Sequence, residues 1–407
     1  MNVMSLRLFL WLRVSLFNLL LVASIGFILR YKIVYSLPWV DQKHLLHAHS
    51  HFAFSGWITQ ALFAFLVAHL AKQSGRDMFQ KYNWLLYANL LTSYGMLISF
   101  SLQGYGFFSI LFSTLSIFAA WVFAVIYWKD LNRLPTKLLS SQWFKAALLF
   151  NAISAFGAFA LAVMMVNKIN HLDRYLSSVY FFLHFQYNGW FFFACMGLFI
   201  QKIEFMEISQ KKLKQIFWLF SSACVPAYFL SALWIPIPLW LYWIVIGTAV
   251  AQVYGWVILV KLINQKKTQL ADSITKPTEW LLLFSGFALS IKLLLQLGST
   301  IPSLSTLAFG FRPIVIGYLH LILLGVITLF LLAYLLLDRK LAINRTLISG
   351  IVIFTTGILL NEVLLMTQGV TAIFNTITPF INEGLLFTAA VLFTGMLIVN
   401  IGLKKHS

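Results

Sequence analysis

The chain has 407 residues, of which 61% are hydrophobic and only 10% charged. That composition excludes a soluble multidomain protein and describes a polytopic membrane protein, read as one all-α integral domain over residues 1–407. The formal charge of +18 does not indicate nucleic acid, because the lysines and arginines recur in short tracts between apolar runs and so follow membrane topology.

Twelve spans are expected, near residues 8–30, 44–70, 82–103, 105–128, 143–166, 175–201, 214–233, 237–262, 280–299, 312–336, 343–366 and 378–402. Each is long enough to cross a hydrocarbon core of about 30 Å. The first follows Arg7 and Arg13 as a secretory signal would. Its apolar run reaches Leu29 without a small-residue cleavage site, so a retained helix is expected. Only Gln103-Gly-Tyr-Gly106 divides the third span from the fourth.

Loops rich in basic residues alternate with poorer ones. Lys72, Arg76 and Lys81, then Lys129, Arg133 and Lys137, then Lys211, Lys212 and Lys214, then Lys261, Lys266 and Lys267, then Arg339, Lys340 and Arg345 mark the even loops. Arg30, Lys32 and Lys43, then Lys168 and Arg174, then Arg312 fall in odd ones. The alternation places the even loops and both termini in the cytoplasm.

The second span opens with Asp41, His44, His47, His49 and His51. At 100° per residue His44, His47 and His51 form one stripe, while His49 points the opposite way from His51. His51 begins His-Phe-Ala-Phe-Ser-Gly56-Trp57, and the sixth span repeats the pattern as His184-Phe-Gln-Tyr187-Asn188-Gly189-Trp190. The tenth span begins at Arg312, carries Tyr318 and His320, and places Gly325 five residues after that histidine. Elsewhere, Cys195 and Cys224 read as small apolar packing residues. Gln252 and Tyr254 in the eighth span are candidates for lining a path. Lys292 lies in the ninth span, Glu362 in the eleventh, and Asn382 and Glu383 open the twelfth.

Hydrocarbon does not solvate an imidazole, so histidines within spans need partners. In this topology His51, His184 and His320 all lie about 13 Å below the outer boundary. Neutral imidazoles at one depth among aromatic residues point to a haem or a metal. Taken alone, His184 is equally well read as a hydrogen-bonded packing residue. His44 and His47 stand near the interface, where solvation competes with ligation. His69, His171 and His406 read as boundary or loop residues. The glycines serve close helix packing, which a flat macrocycle also requires. Lys292 or Arg312 suits haem propionates, and Glu362 suits proton transfer or pairing with Lys292. Interfacial anchoring is the competing role for Arg312.

Twelve spans with histidines on the second, sixth and tenth resemble subunit I of the haem–copper oxidase superfamily, including its nitric oxide reductase branch. The resemblance implies that His320 and either His51 or His49 are axial ligands of a low-spin haem. It implies that His184 is a copper ligand and that Tyr318 stands where the family has its high-spin haem ligand; with Tyr187 and Asn188 nearby, that one imidazole is a poor copper trap unless His49, His47 or His44 supplement it. A glutamate of the nitric oxide reductases stands at Asn188. The two adjacent histidines that the family carries on its seventh helix are missing from Ser221-Ser-Ala-Cys-Val-Pro226. Copper is therefore a doubtful cofactor and weak oxygen reduction is expected. The string from His49 to Gly56 also resembles bacterial twelve-helix haem–copper proteins linked to nitric oxide stress.

The expected function is a haem protein of the bacterial inner membrane handling electrons or a diatomic gas, nitric oxide or oxygen, with quinol or cytochrome c as electron donor. The alternatives are a proton-coupled secondary transporter and a haem-binding sensor or assembly protein without turnover.

Overall fold

Membrane-spanning backbone must satisfy its own hydrogen bonds, and an apolar chain of this length does so as helices. The computed structural model describes residues 3–305, 311–337, 341–376 and 378–405. His406, Arg339 and Lys340 lie outside them. Among the described residues, ten helices are long and apolar enough to cross a membrane, or eleven with one bent pair. The chain is thus an α-helical integral membrane protein.

In chain order the helices begin with α1 (Val3–Val34), α2 (Gln42–Phe52), α3 (Gln60–Ser74), α4 (Phe79–Gln103), α5 (Phe107–Asn132) and α6 (Ser140–Val166). They continue with α7 (Leu172–His184), α8 (Phe192–Ile203), α9 (Gln210–Cys224), α10 (Leu239–Gln265), α11 (Lys267–Ser273) and α12 (Lys276–Gly298). The last are α13 (Arg312–His320), α14 (Leu329–Leu336), α15 (Arg345–Ile373) and α16 (Ile381–Gly402). Three π-helical segments join α2 to α3 (Ala53–Thr59), α7 to α8 (Phe185–Phe191) and α13 to α14 (Leu321–Thr328). The rod Leu172–Ile203, which holds the sixth expected span, is not among the ten apolar helices, since His184, Gln186 and Asn188 make its centre too polar. The turn expected at Gln103–Gly106 is present, and Gly104 takes φ +59°, a conformation suited to glycine.

The helices form two compact units, residues 1–135 with 331–407 and residues 136–330. In the first, α15 packs backbone to backbone against α16. A Cβ on Gly350 would lie 2.6 Å from the nitrogen of Val399, and one on Gly395 2.6 Å from that of Phe354. Small residues allow such contact where lipid gives no hydrophobic drive between helices. Polar groups gather at the basic loops. Asp130 accepts from Lys81 at 2.6 Å and from the Tyr82 hydroxyl at 2.7 Å, tying α4 to α5. Arg7 pairs with Asp77 at 3.1 Å. In the second unit Glu204 caps the start of α6, accepting from the Ser140 amide at 3.1 Å and its hydroxyl at 2.8 Å.

The second unit also contains a broken helix. α9 ends at Cys224, and the 3-10 turn Pro226–Ala232 departs from it by 49°. Pro226 has no N–H to donate and its ring crowds the preceding turn, so the helix cannot continue straight.

Candidate functional site

Each of the three His-x4-Gly elements changes helix type at its histidine. The π segments start at Ala53, Phe185 and Leu321, within two residues of His51, His184 and His320. They end with amides reaching back five residues, Gln60 to Ser55, Phe192 to Tyr187 and Leu329 to Leu324. A π turn inserts one residue and leaves carbonyls without the ordinary intrahelical partner, and such turns are frequent at functional sites.

Side chains of neighbouring helices take up carbonyls of these segments. Asn18 of α1 donates to the Gly56 carbonyl at 2.6 Å, and Asn89 of α4 donates to that of Ser55 at 3.1 Å. Tyr94 holds Asn18 in place, donating to its Oδ1 at 2.8 Å. Ser285 of α12 donates to the Val326 carbonyl at 2.8 Å. Cys224 of α9 directs its thiol to the Asn188 carbonyl at 3.9 Å, a weak contact. The glycines have separate tasks. A Cβ on Gly189 would strike Phe150, one on Gly325 would press on Ala288, and one on Gly56 would strike the ring of Phe52.

In the first unit, Asp41 caps α2 by accepting from the His44 amide at 2.8 Å, and this bond holds its carboxyl below the usual range. The His44 ring lies over Gly104. His47 meets Tyr105 edge-on with ring centroids 4.6 Å apart. His51 stacks on Phe100 at 4.3 Å, with its Nε2 3.4 Å from the Tyr105 hydroxyl. The stripe thus faces one neighbour, the end of α4 and its following turn. His49 points elsewhere, toward Gly26 of α1. Glu362 lies on α15 and accepts from Asn361 at 3.2 Å. His69 is buried in α3, within two turns of its end, and His171 is exposed ahead of α7.

In the second unit His184 is fully buried. Its Nε2 lies 2.8 Å from the Cys224 carbonyl, which can only accept, so Nε2 carries the proton. Its Nδ1 then accepts from Asn188 Nδ2 at 3.1 Å. The break in α9 explains the first bond. Tyr228 donates to Val225 instead of Cys224, and His184 supplies the donor that the Cys224 carbonyl lost.

His320 is half-buried, and its Nδ1 lies 2.8 Å from the Ile316 carbonyl. The carbonyl can only accept, so that bond places a proton on Nδ1. Tyr187 hydrogen-bonds with Ser231, and its ring lies 6.3 Å from that of Tyr318. Lys292 is only 5% exposed and interacts electrostatically with Cys224 and His184. Arg312 is exposed at the start of α13.

These geometries discriminate between the expected cofactors. His320 has its Nδ1 on a carbonyl, the anchoring that ligating imidazoles usually have on their second nitrogen. His51 offers an imidazole already held by stacking, with Nε2 against a phenol. His184 does not fit copper, since both nitrogens are committed. Among the described residues, no three His, Cys, Asp or Glu side chains gather in a group that could hold a metal ion. Sequence reasoning missed Asn18, Asn89 and Ser285. Their signal was a lone polar residue in an apolar span, which needs a nearby partner.

No family model matches this chain, and no curated protein matches it either.

Proposed function

We propose that this chain is an integral membrane haem protein that handles electrons or a diatomic gas, nitric oxide or oxygen. His320 is the imidazole that the second unit offers to iron, and His51, with His49 as its substitute, is the one that the first unit offers. A bound haem supplies one-electron chemistry and an iron open to gas ligands. The observation that carries the reading is the setting of the His320 ring. Its Nδ1 is held on the Ile316 carbonyl at 2.8 Å, the anchoring that a ligating imidazole usually has on its second nitrogen. The π segment Leu321–Thr328 follows it directly, and Ser285 holds the Val326 carbonyl of that segment. No copper step enters the proposal, because His184 spends both nitrogens on Cys224 and Asn188.

The proposed setting is a bacterial inner membrane with both termini cytoplasmic and with quinol or cytochrome c as electron donor. Haem content and a reduced-minus-oxidised optical spectrum of the purified protein test it. Stoichiometric haem with imidazole-ligated bands supports the reading, and absence of haem from protein made in haem-sufficient cells removes it.

The 49° break after α9 favours a second reading, a proton-coupled secondary transporter, because carriers build sites from discontinuous helices. Haem-free protein that drives substrate-dependent proton uptake in liposomes would establish that alternative.

A further inference from the structure

Lys292 is 5% exposed within α12, and among the described residues it makes no hydrogen bond or ion pair. A buried ammonium without a counter-charge is costly, and in a membrane it marks a functional site. Its electrostatic neighbours do not supply the missing charge. His184 is engaged at both nitrogens, and Cys224 offers a thiol and a carbonyl that His184 already occupies. The end of α9 gives the ammonium a favourable dipole, but no acceptor in hydrogen-bonding contact.

The surroundings say what is missing. Ser285 bonds the Val326 carbonyl, and a Cβ on Gly325 would lie 3.1 Å from Ala288. Continuing that antiparallel register by one turn brings Lys292 to the level of His320, and a second turn brings Gln296 to that of Tyr318. Gln296 is one turn from Lys292 on the same face of α12, is 6% exposed, and its Oε1 has no partner. An amide can rotate to present its N–H groups instead. One ammonium beside one amide matches a monoanion with two acceptor oxygens. A phosphate dianion would need more donors. The buried neighbours Leu289 and Leu293 are apolar, so the remainder of the ligand must be apolar too.

We propose that Lys292, assisted by Gln296, is the anchor of a site for the carboxylate of a hydrophobic ligand inside the second unit. A haem propionate and a fatty-acid head group share this chemistry. The site therefore goes beyond the haem reading and does not depend on it.

The test uses the full-length purified protein in nanodiscs and two matched pairs of probes, haemin with its dimethyl ester and palmitate with methyl palmitate. Binding is read by tryptophan quenching. In wild type, at least one acid binds about tenfold or more tightly than its ester. Lys292→Met brings that acid to the affinity of its ester, and Lys292→Arg retains most of the preference. The pair that shows the preference identifies the source of the carboxylate. The proposal is overturned if both pairs bind wild type without preference, if neither acid binds, or if Lys292→Met keeps the preference. The wild-type comparison needs no variant to fold. Haemin ester that binds like haemin and gives low-spin bands, with palmitate no tighter than its ester, would remove the Lys292 site while leaving the haem reading intact.

Discussion

His184 donates from Nε2 to the carbonyl of Cys224 across 2.8 Å, the carbonyl released where Pro226 breaks its helix. The imidazole therefore does for α9 what a further helical turn would have done. Leaving that carbonyl unpaired in an apolar interior costs about 1–3 kcal/mol.

The His184–Cys224 bond and the proline break should be energetically coupled. His184→Leu is expected to lower stability by about 1–3 kcal/mol. Pro226→Ala restores an N–H and lets the helix continue, so Tyr228 can reach Cys224. In that background the cost of His184→Leu should shrink. A double-mutant cycle by denaturant unfolding in micelles measures the coupling. An equal cost in both backgrounds would show that His184 is not compensating for the break.

Asn18 should be more valuable than ordinary polar residues in the spans. It is fully buried, donates to Gly56 and accepts from Tyr94. Asn18→Leu is expected to cost about 1–3 kcal/mol. Ser101 bonds only its own helix, at Leu97, and Ser101→Ala should stay within about 0.5 kcal/mol. Thermal unfolding of the two variants side by side checks the contrast.

The helical framework was legible because hydrocarbon leaves an apolar segment few choices. Its boundaries followed Gln103–Gly106 and the basic loops. The recurrence of His51, His184 and His320 was equally plain. Their π turns were not, since no residue preference marks a single inserted residue. What decides them is tertiary, namely whether Asn18, Asn89 or Ser285 stands near enough to take a carbonyl. The fate of His184 was hidden for the same reason. The motif around it resembles that of His51, yet Pro226, 42 positions along the chain, determines its partner.

Glu204 gives a pH dependence with a definite sign. Burial raises its carboxyl above the usual range, and the bonds from Ser140 only partly offset this. A carboxyl whose folded value is raised holds its proton better in the folded state. Its contribution to stability is greatest below the ordinary glutamate range and falls as pH rises through the folded value. As pH rises from the ordinary glutamate range through the raised folded value, wild type should lose more stability than Glu204→Gln. Parallel melting curves would contradict this.

Topology is open to direct measurement. The alternating basic loops put Lys137 in the cytoplasm and Asn170 outside. Reporter fusions at the two positions should give opposite signals, and the same signal from both would mean that the spans between them have been miscounted.

The central claim is that histidines in near-identical motifs have different tasks, His320 ligating iron and His184 holding a broken helix. The most direct test is the reduced-minus-oxidised spectrum of His320→Ala and His184→Ala beside wild type, each normalised to folded protein in the membrane. Low-spin haem bands should vanish in His320→Ala and persist in His184→Ala. Bands that survive in His320→Ala, or vanish in a stably folded His184→Ala, would contradict the account.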